Sequence, residues 1–322
     1  MSALLEVQAL ERRFGGGWSL LHGRLPTTHA VRGIELNLYE GETLGVVGES
    51  GCGKSSLARM IVGLDRPSDG TIRFEGREIL GRRLADGRPL ARMVQYVFQD
   101  PVSSLNPRKT VRRILEAPMI HLLGLAADVR ETRLRELLEA VKLPPDVLQR
   151  YPHEFSGGQA QRIAIARALA AEPRVIVLDE PVSALDVSVQ AQVLHLLADL
   201  KTRFRLTYLF ISHDLSVIEA ISDRIAVMYF GRIVEQAPAD RIFRHPRHPY
   251  TQLLLRSAPV PGRRRAPVDD IPAELPDPFA PPPGCAFAMR CPAADDTCRS
   301  RPPVLGDGAG TGHSVACYHP VE

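Results

Sequence analysis

Short runs that are apolar throughout punctuate the first 256 residues, and stretches of helical periodicity separate them. Thr43 to Val47 in ETLGVVGES, RVIVLDE at 174–180 and LTYLFISHD at 206–214 are apolar cores bounded by polar residues. Runs of this kind predict strands buried on both faces, and helices between them predict a parallel sheet covered on both sides. KSSLARMIVGL, beginning at Lys54, predicts a helix, as does QRIAIARAL, whose Ile163, Ile165, Ala166 and Leu169 would face a core. IAVMYFGRIVEQ predicts a hairpin turning at Gly231. At Ser257 the pattern stops: SAPVPGRRRAPVDDIPAELPDPFAPPPG, residues 257–284, is proline-rich, has no period and predicts an extended connector. Its three arginines, 263–265, predict a solvated charge cluster. A cysteine-bearing segment, 285–322, follows.

Composition adds bounds rather than a function. The 322 residues are 44% hydrophobic and 24% charged, ordinary for a globular chain with room for one large domain and an appendage. A formal charge of +3 does not by itself argue for nucleic acid. Only Lys54, Lys109, Lys142 and Lys201 are lysines, so a lysine inside a motif carries weight. MSALLEVQALERRF is charged at Glu6, Glu11, Arg12 and Arg13 and lacks the apolar core of a secretory signal. No window approaches the roughly 18 apolar residues of a membrane span. The cytosol is the expected compartment, and structural disulfides are rare there.

The chemistry begins at GESGCGKSS, Gly48 to Ser56, which fits the phosphate-loop pattern G-x-x-x-x-G-K-[ST]. Gly48, Gly51 and Gly53 let backbone N–H groups of Glu49, Ser50 and Cys52 turn toward phosphate oxygens. Lys54 reaches the β- and γ-phosphates, Ser55 can ligate Mg²⁺, and Ser56 continues the helix start. RVIVLDE supplies a strand ending in two carboxylates, Asp179 for the Mg²⁺ shell and Glu180 to polarise an attacking water. EFSGGQAQRIAIARAL places Ser156, Gly157, Gly158 and Gln159 at a helix start, a second anion-binding surface.

These motifs together resemble an ATP-binding-cassette (ABC) ATPase over roughly residues 4–256. FSGGQ matches the family's signature, with Phe155 where Leu is commonest; Gln99 in YVFQD matches the Q-loop, SALD ending at Asp186 the D-loop, and His213 in ISHD the switch histidine. The resemblance implies an α/β P-loop NTPase core with an antiparallel β subdomain and a helical subdomain at about 100–170. It implies ATP and Mg²⁺ as cofactors, with Glu180 as catalytic base, His213 at the γ-phosphate and Gln99 at the Mg²⁺ site beside Ser55 and Asp179. Two cassettes would pair head to tail, so that Ser156, Gly157, Gly158, Gln159 and Asp186 act on the partner's ATP. An aromatic before the first core strands stacks on adenine in the family; Phe14 is the first candidate and Trp18 the second, since the insertion GGGWSLLHGRLPTTHAV follows Phe14.

HPRHPYTQLLLRSAPVPG, 245–262, is similar to the C-terminal extension of oligopeptide/dipeptide/nickel importer ATPases, and FSGGQ followed by QRIAIARAL is closer to their F-type than their D-type subunit. The resemblance implies a peripheral subunit on the cytoplasmic membrane face with two transmembrane permease subunits, a D-type ATPase sibling and an extracytoplasmic solute-binding protein, and no nucleic acid. The competing class is a soluble nucleic-acid-acting ABC ATPase; nickel or another solute competes with peptide. His245 and His248, interleaved with prolines, read as a turn entering a helix.

Cys285, Cys291, Cys298 and Cys317 are spaced C-x5-C-x6-C-x18-C in a segment with little apolar content, whereas Cys52 sits in the phosphate loop as a tolerated small residue. A segment this poor in core predicts a staple. Zinc sites show tighter pairs, and the Cys-Pro step is also seen at iron–sulfur ligands. Some peptide-importer relatives carry a [4Fe–4S] cluster here, so the resemblance implies such a cluster on these four cysteines, with zinc second and disulfides third.

Overall fold

A computed structural model describes residues 2–16, 18–19, 23–24, 26–257, 275–306 and 312–321. Most of the proline-rich connector, including the three arginines, therefore lies outside the described residues. Among the described residues the chain builds two larger sheets. The first has seven strands in the order Ser314–Val315, Arg232–Pro238, Arg224–Tyr229, Thr43–Val47, Thr207–Ser212, Val175–Asp179, Val94–Val97. The last five of these run parallel, and the other two are antiparallel additions. The second sheet is antiparallel, ordered Thr27–Leu38, Leu5–Gly15, Asp69–Phe74, Arg77–Leu80, Arg83–Leu84.

The continuous apolar runs follow from a sheet with a core on each face. Val175 and Val177 join Leu209 and Ile211 in one core, with the antiparallel sheet and the helix Lys54–Ile61. Ile176 and Leu178 join Tyr208 and Phe210 in the other, beneath the helices Val111–His121, Ala127–Ala140, Gly157–Leu169 and Val187–Phe204. Alternate side chains enter different cores, so neither set can be polar. The hairpin turns where the sequence places it, with Phe230 at φ 42° and Gly231 at φ 80° between its strands.

Parallel strands put their carboxyl ends along one edge. Val47, Val97, Asp179 and Ser212 end there, so the loops carrying Gly48, Gln99, Glu180 and His213 share one crevice. The C-terminal segment packs back on this domain. Its strand Ser314–Val315 pairs with Glu235 and Gln236, and Ala316 N–H donates to Val234 O at 2.8 Å. His313 meets the fully buried Glu235 at 2.6 Å. Phe287 is buried against Tyr229 and Tyr250, with ring centroids 5.4 and 5.5 Å apart.

Candidate nucleotide-binding site

The phosphate loop leaves the buried strand Thr43–Val47 and opens the helix Lys54–Ile61. Two of its glycines are dictated by close approach. A Cβ on Gly48 would lie 2.1 Å from the Met228 carbonyl oxygen, and one on Gly53, at φ 106°, would lie 2.2 Å from that of Ala30. The first turn of the helix holds no acidic residue, so its N–H groups and dipole remain available to an anion. Lys54 is nearly buried, and its Nζ donates to Gly48 O at 2.8 Å and Glu49 O at 3.0 Å. Burial pushes the Cys52 thiol up, leaving a small neutral filler beneath the loop.

Ser55 Oγ donates to Asp179 Oδ1 at 3.2 Å. Adjacent ligands of an ion bound at roughly 2.1 Å lie about 3 Å apart, so these two oxygens fit an octahedral Mg²⁺ shell. Tyr96 Oη donates to the other Asp179 oxygen at 2.5 Å. Burial pushes the Asp179 carboxyl up, opposed by hydrogen bonds from Tyr96 and Ser55 and by Lys54. The next residue, Glu180, takes a left-handed φ of 48°, which turns it out of the strand, and its N–H is held by Ile211 O at 2.9 Å. Its Oε2 meets Gln99 Nε2 and His213 Nδ1, each at 3.1 Å. Gln99, Glu180 and His213, from three separate strand ends, thus converge beside the Ser55–Asp179 pair.

The signature residues lie elsewhere. Ser156 caps the helix Gly157–Leu169 through a reciprocal box with Gln159, and Ser156 and Gly157 are exposed. A Cβ on Gly158 would lie 2.6 Å from Val189 Cγ1, in the helix that Asp186 caps. Among the described residues, no hydrogen bond joins Ser156–Gln159 to the phosphate loop. Gly157 does line a cavity with Gln99, Asp100 and Leu185, so the signature helix abuts the loop that follows Gln99. Phe14 is exposed on the strand Leu5–Gly15, with the Arg12 guanidinium 4.3 Å over its ring. The Trp18 side chain lies outside the described residues.

Residues 31–183 match the family described as ABC transporter, and residues 234–298 that described as oligopeptide/dipeptide transporter, C-terminal region. The oligopeptide transport ATP-binding protein OppF of Salmonella typhimurium is 48% identical over 296 residues, 90% of this chain and 88% of that one. AppF of Bacillus subtilis, also an oligopeptide transport ATP-binding protein, is 46% identical over 319 residues, covering 98% and 97%. The chain belongs to the ABC transporter ATP-binding family. Solved cassettes agree: cbiO1 of Clostridium perfringens aligns with TM-score 0.65 and 27% identity over 76% of this chain and 92% of its own. The dimeric MJ0796 cassette bound to ADP and Pi gives 0.63 and 27% over 73% and 98%. The protein is accordingly an ABC ATPase that uses ATP and Mg²⁺, and among the described residues no helix is long and apolar enough to cross a membrane.

The iron–sulfur expectation is overturned. The relatives are peptide transport ATP-binding proteins with nothing in their names to indicate a cluster. Among the described residues the ligand-capable side chains close enough to share an ion are Asp295, Cys298 and His319, within 4.8 Å of one another, a set containing one of the four cysteines. Those three already have roles: Asp295 caps the short helix Asp296–Ser300 through Cys298 N–H and pairs with His319 at 2.9 Å. Cys285, Cys291, Cys298 and Cys317 line one small cavity as free thiols. Burial pushes all four free thiols up, Cys317 to about 11. The premise that failed is the need for a staple: the segment is ordered by Phe287, the added strand, Glu235–His313, and an Arg290–Glu49 ion pair. Neither a cluster nor zinc gains support.

Sequence patterns do not reveal Tyr96 or Arg290. Tyr96 sits inside the apolar run VQYVF and reads as core; Arg290 lies 241 residues from its partner Glu49.

Proposed function

We propose that this chain is the ATP-hydrolysing subunit of a peptide importer, peripheral to the cytoplasmic face of the membrane, driving uptake through two permease subunits fed by an extracytoplasmic solute-binding protein. The observation that carries the catalytic assignment is the position of Glu180, turned out of its strand by a left-handed backbone and shared by Gln99 and His213 beside the Ser55–Asp179 pair. The match of residues 234–298 and the names of the relatives support peptide as the solute class over nickel, and an importer over a nucleic-acid-acting ATPase.

In this reading residues 4–256 are the ATPase domain, with a helical signature subdomain at about 100–170; 257–284 are a linker, and 285–322 a docked extension. Ser55 and Asp179, with Gln99, would hold Mg²⁺, which neutralises charge on the β- and γ-phosphates. Lys54 and the loop N–H groups orient the triphosphate. Glu180 aligns water against the γ-phosphorus and accepts its proton as the new P–O bond forms and the bond to the β-phosphate oxygen breaks. His213, whose Nδ1 the same carboxylate meets at 3.1 Å, would contact the γ-phosphate through its other ring nitrogen. Ser156, Gly157, Gly158, Gln159 and Asp186 would close over ATP on a second cassette, for which a D-type sibling is the partner. The exposure of Ser156, Gly157 and Asp186 on one chain supports a role across an interface. Phe14 would stack on adenine.

The test is reconstitution with the permeases and binding protein in vesicles. Peptide-loaded binding protein should stimulate hydrolysis and peptide uptake, and Glu180→Gln should lower turnover by about 10²–10⁴-fold with ATP still bound. Wild-type turnover by Glu180→Gln would refute the catalytic assignment; stimulation by nickel and not by peptide would refute the solute class.

A further inference from the structure

The phosphate loop carries its own carboxylate, Glu49, directly after Gly48. A negative charge there opposes a triphosphate unless something neutralises it. That partner comes from the far end of the chain. Arg290, one residue before Cys291, closes on Glu49 in a two-pronged fork, Nη1 to Oε2 at 2.9 Å and Nη2 to Oε1 at 3.0 Å. The Arg290 side chain is 7% exposed and lies over the rings of Tyr229 and Phe287, 5.8 and 5.6 Å from their centroids. The hydrogen bonds from its guanidinium to Glu49 hold its pKa even above its ordinary value, so it is a fixed cation at any working pH. The same residue of the loop is tied twice more: Glu49 N–H donates to Tyr250 Oη at 2.9 Å, and Glu49 O accepts from Lys54 Nζ at 3.0 Å.

We infer that Arg290 is a positioning residue of the ATP site, which neutralises Glu49 and fixes the first turn of the phosphate loop, making the C-terminal segment a working part of nucleotide binding. The inference rests on the reading that Gly48–Ser55 holds ATP. A bidentate guanidinium–carboxylate pair whose guanidinium is shielded from water is strong and directional. Without it Glu49 is left as a free negative charge next to the phosphates, and the loop loses one of its tethers. The charge effect scales with the phosphate charge, so ATP is affected more than ADP. A tether that merely kept the segment folded would not distinguish ATP from ADP.

The test is calorimetric titration of ATP and ADP into the full chain. Arg290→Ala is expected to weaken ATP on the order of tenfold and ADP by less. Arg290→Lys, which keeps the charge but not the fork, should lose less affinity than Arg290→Ala. In a Glu49→Gln background, Arg290→Ala should change ATP affinity less than twofold, because the charge it neutralises is gone. Should Arg290→Ala fail to fold, Arg290→Gln carries the same comparison. An unchanged ATP affinity in Arg290→Ala or Arg290→Gln overturns the inference, as does an equal loss with and without Glu49. Absence of ATP binding by the wild type would instead overturn the loop assignment itself, and the inference with it.

Discussion

Removing the Tyr96 hydroxyl isolates one interaction at the centre of the site. In Tyr96→Phe the ring keeps its place on the strand Val94–Val97 and its edge contact with Phe98 at 4.4 Å, while Asp179 loses the donor to Oδ2 at 2.5 Å. Asp179 is 6% exposed and Tyr96 9%, so water does not readily replace the bond. A hydrogen bond to a buried charged group contributes about 1.5–3 kcal/mol. Ser55 still donates to Oδ1 and Lys54 is nearby, which places the loss toward the lower end, about 2 kcal/mol at neutral pH. The sign with pH follows from the direction of the Asp179 shift. Burial raises its carboxyl above the unfolded value despite its donors, so ionised Asp179 is a cost to the folded state that appears as pH rises through the folded pKa. Tyr96 reduces that cost only where Asp179 is charged. The stability deficit of Tyr96→Phe should therefore be full well above the folded pKa of Asp179 and shrink as pH falls through it, measured by urea unfolding without Mg²⁺. Mg²⁺ binding gives the complementary readout. Protonation competes with the ion, and without Tyr96 it competes at higher pH, so the variant's affinity deficit should grow toward acid pH, to on the order of tenfold. A stability deficit independent of pH, together with an unchanged Mg²⁺ profile, would show that Tyr96 merely fills space and refute the reasoning.

Two further perturbations test other parts of the argument. In Gly48→Ala the added methyl must overlap the Met228 carbonyl, backbone of a central strand, so a loss of about 1–3 kcal/mol and disappearance of the thermal shift on adding ATP are expected; a normal shift would show that the loop can move aside. Burial pushes Cys317 up to about 11, so at pH 8 its alkylation by iodoacetamide, followed by mass spectrometry of the native chain, should run about two orders of magnitude slower than that of an unperturbed thiol and accelerate as pH rises. Prompt modification at pH 8 would mean that the segment does not hold this packed form in solution.

What the sequence discloses and what it hides divide along a physical line. Gly48, Lys54 and Ser55 must be contiguous because one loop wraps one phosphate group, and Asp179 and Glu180 must follow an apolar run because the sheet presents them at a strand end; local necessity leaves a local pattern. The two-core alternation of Val175–Asp179 is legible for the same reason, since both faces demand apolar residues within five positions. Tyr96 and Arg290 obey no such constraint. Each contributes one atom or fork to a partner far along the chain, and any residue of that reach on a suitable element would leave the same sequence trace. The cysteine segment hides its order in the same way. By its own composition it lacks a core and calls for a metal. Yet the core it uses belongs to the domain beneath: Phe287 enters between Tyr229, Tyr250 and His248, Glu235 receives His313, and the free edge of Arg232–Pro238 accepts a strand. Burial measured along a segment underestimates burial contributed by its neighbours, so a core-poor stretch calls for a staple only when no apolar or hydrogen-bonding surface is waiting for it.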